Sequence, residues 1–187
     1  MGELAGELAC LTAAALWALT VVAFRAPIVR HGAPAINLFK SLLAAVLLTA
    51  TLSATGGWPD LLGAPAASLA WVALSGLIGI TLGDTALFAA VARVGAHRTL
   101  LLQTLAPVFA AAIAIPLGER LSPTEVVVAV AVIAGIALVI GPDLCRSLDG
   151  GTPVVAAALA VLAAAGQGVG VVVAKGGMDA VPVLGAA

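Results

Sequence analysis

Charged residues are so sparse in this chain that they cut it into six long uncharged runs, and those runs decide what it can fold into. Residues 8–24, 41–59, 61–83, 99–118, 126–142 and 150–174 contain no Asp, Glu, Lys or Arg, and are 17, 19, 23, 20, 17 and 25 residues long. A helix of about 20 apolar residues crosses a hydrocarbon core of roughly 30 Å. A β-barrel would instead alternate apolar and polar residues in strands of about ten. The run from Val126 to Ile133 does not alternate, and in lipid such a run satisfies its own backbone as a helix. The expected fold class is an all-α membrane protein, a multi-pass helical bundle of about six transmembrane helices.

Composition closes the other routes. The 187 residues are 63% hydrophobic and 9% charged, with a mean hydropathy of +1.22, whereas soluble domains carry about 25% charged residues. Too few charges remain to coat a water-soluble surface. A net charge of −1 gives no electrostatic footing for nucleic acid, and so hydrophobic a chain is not disordered. The expected partners are the lipid bilayer and a small-molecule substrate. Cys10 lies in an apolar run and Cys145 in a polar one, so no disulfide is expected between them. Neither has metal-ligand spacing, and no metal or cofactor is expected. Glu3 and Glu7 replace the basic start of a cleavable signal peptide.

Turn chemistry places the helices at about 6–28, 34–54, 68–94, 97–116, 124–141 and 153–174. Ser122-Pro123-Thr124-Glu125 has capping-box spacing with proline at the first helical position, and Thr152-Pro153 offers a similar start. Gly56-Gly57-Trp58-Pro59-Asp60 reads as a turn with an interfacial tryptophan, and Gly141-Pro142-Asp143 as the end of the fifth helix. Small residues recur four apart at Gly79/Gly83, at Gly166/Gly170 and at Ala106/Ala110/Ala114. Such spacing lets helices approach closely in lipid, although in so Ala- and Gly-rich a chain it also arises by chance.

The stretch from Gly76 to Ser122 has further features in a distinctive order: Gly79, Gly83-Asp84, the short Gly95-Ala96 link, Pro107 and Gly118-Glu119. With the opening Leu16-Trp17-Ala18-Leu19-Thr20, it resembles the EamA domain of the drug/metabolite transporter superfamily. The resemblance implies a five-helix unit over 6–141, a linker at 142–152, and at 153–187 the first helix of a second, inverted unit. Relatives of this kind carry two such units, ten helices in all, built as an inverted repeat. A shift of 150 residues sets Arg25 against Lys175, and both stretches share a plan of a long apolar helix, a basic residue and then a proline (Pro34, Pro182) a few residues on. On this reading the chain stops where a seventh helix would begin, and residues 1–187 alone are not expected to catalyse flux.

Asp84 is the sharpest chemical signal. It sits about ten residues from the far end of helix three, roughly 15 Å deep, and an ionisable residue at that depth marks a functional site or a structural ion pair. Asn37, Lys40 and Ser41 form a polar stripe at the start of helix two, which makes Lys40 the favoured partner. Arg25, on one stripe of helix one with Trp17 and Val21, is the rival, although snorkelling to the interface explains it as well. In helix four, Pro107 strips the carbonyl near Gln103 of its donor, beside Thr104, and such a break either lines a cavity or is a simple kink. Glu119 and Arg120 read as a solvated pair. The candidate substrate pathway is thus Asp84, Lys40, Asn37, Trp17, Arg25, Gln103, Thr104 and Pro107.

Small multidrug resistance proteins, more distant in the same superfamily, resemble four-helix half-units with a buried glutamate in helix one. This chain has only Glu7 at that helix's mouth, so proton coupling there is unsupported. No Walker A motif supports ATP drive, and no Ser/His or paired-carboxylate set supports an enzyme. The resemblance implies an inner-membrane carrier of small metabolites or drugs, an exporter working by alternating access. The rivals are a non-transporting fragment or scaffold, and a half-transporter active only as a homodimer. Arg25, Arg30, Lys40, Arg93, Arg98 and Arg146 fall on one side against Arg120 and Lys175 on the other. The positive-inside rule then puts the N-terminus outside, whereas the resemblance implies the reverse.

Overall fold

The structure, a computed structural model, describes residues 2–118, 122–146 and 152–178. The expected Glu119–Arg120 pair and the approach to a seventh helix around Pro182 lie outside them. Among the described residues, seven helices follow one another: α1 (Gly2–His31), α2 (Ala33–Thr55), the short α3 (Trp58–Leu62), α4 (Ala66–Val94), α5 (Ala96–Leu117), α6 (Pro123–Arg146) and α7 (Thr152–Met178). Among the described residues, five helices are long and apolar enough to cross a membrane: α1, α2, α4, α5 and α7. α6 contributes a shorter apolar stretch, Val126–Leu138. Leucines and valines cover the outside of the bundle, as lipid contact requires. The chain is a multi-pass helical membrane protein.

Two local expectations are corrected. The Gly56–Asp60 turn closes α2 at a left-handed Gly56 but then winds into α3, with Pro59 in its first turn. Proline is pre-set for a first helical turn, and Trp58 Nε1 ties α3 to Ser53 Oγ of α2 at 3.0 Å. The second correction is at Gly141-Pro142-Asp143, which does not end its helix: α6 runs on to Arg146. A proline removes only one intrahelical bond, and a final turn accommodates the loss. Pro27 is likewise carried inside α1. Cys10 is a free, exposed thiol.

α7 is the axis of the packing, seated against both α4 and α5. The small-residue spacings explain how. A Cβ at Gly166 would stand 3.1 Å from Gly83 Cα, and one at Gly170 3.2 Å from Gly79 Cα. The two glycine pairs therefore face each other, backbone on backbone. On the opposite side, a Cβ at Gly168 would lie 2.6 Å from Ala106 O and 2.8 Å from Ala110 N, so the alanine stripe of α5 is the third party to this contact. Ser75 Oγ donates to Gly170 O at 2.8 Å and adds a hydrogen bond. A second cluster, Val21, Ile28, Leu87, Phe88 and Val91, joins α1 to the end of α4.

Candidate functional site

α4 is not a uniform helix. Between Ala66–Gly76 and Asp84–Val94 it opens into seven π-helical residues, Leu77–Gly83, and the Asp84 N–H donates five residues back to Gly79 O. Wider turns of this kind are uncommon and recur at functional sites. Glycines at 79 and 83 allow this one to press against α7 while it widens. The turn is held from the other side by α2. Asn37 Nδ2 reaches Ile80 O at 2.9 Å, Thr81 O at 3.3 Å and Thr85 Oγ1 at 2.9 Å, while Thr85 Oγ1 donates to Thr81 O at 2.6 Å.

Asp84, at the end of this widened turn, is 2% exposed. Its two oxygens have separate partners. Lys40 Nζ of α2 donates to Oδ2 in an ion pair, and Gln167 Nε2 of α7 donates to Oδ1 at 2.9 Å. A carboxylate in hydrocarbon is tolerated on these terms, charge-paired and hydrogen-bonded. Aromatic rings complete the surroundings: Lys40 Nζ lies 5.8 Å from the Trp17 ring centroid and 5.5 Å from that of Phe88. Both are within cation–π range. Four helices thus meet at one ion pair.

The structure therefore brings together Asp84, Lys40, Asn37 and Trp17. It sets Arg25 apart: that side chain is exposed and lies beside the Gly95 turn joining α4 to α5, with Nε 3.9 Å from where a Cβ at Gly95 would stand. Arg25 is not the partner of Asp84. Gln103, Thr104 and Pro107 form a separate feature. α5 breaks at Thr104 and Leu105, whose N–H groups reach only three residues back, to Leu101 O and Leu102 O. Pro107, in the first turn of the next segment, has no N–H to restore the ladder. Among the described residues, Gln103 Oε1 and Asn37 Oδ1 are buried acceptors without a donor.

Pro107 stands between two grooves. One, of about 400 Å³, runs between α5 and α7 past Pro107, Ala110 and Ala114 to Gln167, Val171 and Lys175. The other, about 290 Å³, lies between Thr104 and Pro107 of α5 and Thr124, Val128 and Val132 of α6. Gln167 connects the larger groove to Asp84, since it lines the one and hydrogen-bonds the other. Sequence reasoning missed Gln167, though a signal existed: it is the single polar side chain between Pro153 and Lys175.

Neither the curated proteins nor the solved structures hold a match to this chain. One family model does match it, over residues 4–141, a stretch that contains Asn37, Lys40 and Asp84 and ends before α7. The matched family consists of membrane transporters rather than enzymes. The multi-pass helical bundle agrees with that match, and the chain belongs to the EamA-like transporter family.

Proposed function

We propose that this chain is an inner-membrane carrier of small metabolites or drugs, working by alternating access and serving as an exporter. In this proposal residues 6–141 form one five-helix unit, 142–152 a linker, and 153–187 the start of a second, inverted unit. The observation that carries it is the connection from the α5–α7 groove through Gln167 to the Lys40–Asp84 pair. A compound held in that groove touches an amide already bonded to a buried charge, so its binding alters the contact between the proposed units. A broken helix lining the groove at Pro107 supports the same reading, because irregular backbone persists in a membrane where it borders a cavity. A homodimer is the alternative source of the second wall.

Reconstitution into vesicles loaded with a small-metabolite mixture tests it in a protein that carries both proposed units, since residues 1–187 alone are not expected to catalyse flux. Saturable loss of one compound class, abolished by Asp84→Asn in a protein that still folds, is the expected result. Undiminished flux from the Asp84→Asn variant would remove the ion pair from the pathway. Cross-linking before reconstitution separates a homodimer from a monomer.

A further inference from the structure

The surroundings of Lys40 are those of a bound ligand. Its ammonium meets a carboxylate oxygen of Asp84 and two aromatic rings, Trp17 and Phe88. These groups come from α1 and α4, and none from α2, which carries the lysine. The box is built before its occupant arrives. Phe88 is fully buried and held edge-to-face by Phe24, with ring centroids 6.1 Å apart at 71°. Asp84 is fixed through its other oxygen by Gln167. Asn37 spends its donors on the π turn and on Thr85 Oγ1, and Thr85 spends its own on Thr81 O. One carboxylate beside two ring faces attracts a cation and repels an anion. The described residues do not seal the box: the Lys40 side chain is 20% exposed and Trp17 36%.

We infer that Trp17, Phe88 and Asp84 form an ammonium-binding box, that Lys40 fills it when no substrate is present, and that an ammonium group on the transported compound takes its place. The inference rests on the carrier reading above and adds a substrate class to it, compounds bearing an alkylammonium. Lys40 is then a tethered competitor. It keeps the buried carboxylate paired in the empty carrier, so the box never stands as an uncompensated charge in the bilayer. Exchange puts one ammonium in the place of another inside the box, and the displaced Lys40 keeps its charge outside it, so the liganded carrier holds one more positive charge than the empty one.

The test needs no transport. Lys40→Ala removes the part of the side chain that propylammonium replaces atom for atom. The purified variant is expected to unfold at a lower temperature than the parent. Propylammonium should restore its stability saturably, while propanol and potassium at the same concentrations should not. The effect should vanish in Lys40→Ala with Asp84→Asn, and Trp17→Leu should raise the half-saturating concentration several-fold. A Lys40→Ala chain too unstable to purify is prepared in propylammonium throughout, and folding only with the amine is then the same positive result.

Failure to fold in the amine, or equal recovery with propanol, overturns the box. In the parent protein, tetramethylammonium should increase modification of Lys40 by an amine-reactive ester, read by mass spectrometry. Unchanged modification overturns the exchange even where the rescue succeeds. Rescue, together with no movement of any ammonium compound by a protein that carries both proposed units, would leave the box standing and remove the carrier reading instead.

Discussion

Asp84 and Gln167 illustrate what a residue reveals from sequence and what it hides. An aspartate in a charge-free span declares itself, because hydrocarbon makes an unpaired charge too expensive to keep. Lys40, at a compatible depth on the neighbouring helix, follows as its partner, and the structure pairs the two. A glutamine carries a smaller cost, so the isolation of Gln167 between Pro153 and Lys175 marks it as a polar exception without naming its partner. Both residues give predictions. Asp84→Asn leaves the Lys40 ammonium without its counter-charge and should cost about 3–5 kcal/mol. Asp84→Asn with Lys40→Met should recover expression, but not transport if the pair lies on the substrate's route. Restoration of both by the double variant would show a purely structural pair. Gln167→Leu removes a donor to a buried carboxylate and should cost about 1–3 kcal/mol, measured as thermal unfolding in detergent. An unchanged midpoint would mean that Asp84 Oδ1 finds another donor.

At the scale of the element, the order and places of the six long helices were legible, because run length against bilayer thickness is a strong constraint, whereas the short α3 was not, and α6 has a shorter apolar stretch than a full span. The internal irregularities were only half legible. Pro107 announced the break in α5, since a missing N–H is visible in sequence. The π turn of α4 was not announced, because an α-helical and a π-helical turn use the same residue types. Its cause is tertiary, the pull of Asn37 on one side and the glycine contact with α7 on the other. The glycine contacts make a graded prediction. Gly168→Ala sets a Cβ 2.6 Å from Ala106 O, a backbone atom that cannot move aside, and should destabilise by about 1–3 kcal/mol. Gly135→Ala meets nothing within 4 Å and should leave stability unchanged or raised. Equal midpoints for the two variants in thermal unfolding would show that α7 does not seat this closely.

For the whole molecule, orientation is the open geometric question, and the ion pair sharpens it. With Lys40 committed to Asp84 inside the bundle, it no longer counts toward the positive-inside balance. Leaving Arg25 out as well, Arg30, Arg93, Arg98 and Arg146 on one side still outnumber Arg120 and Lys175 on the other. The N-terminus should therefore face outward. A cysteine introduced at position 2 of a Cys-free chain should react with an impermeant thiol reagent in intact cells; reaction only after lysis would reverse the assignment. The central seat of α7 also sets an order in time. The ribosome delivers residues from the N-terminus at roughly 5–20 per second, so α4 and α5 lie in the membrane for several seconds before α7 emerges. During that interval Lys40 can already hold one oxygen of Asp84, while Oδ1 and the faces of Gly79 and Gly83 have no helix against them. α7 is made after the two helices it seats between, so its docking is a late insertion into a waiting slot, and the nascent chain is most vulnerable to a protease or a wrong helix partner just before that slot closes.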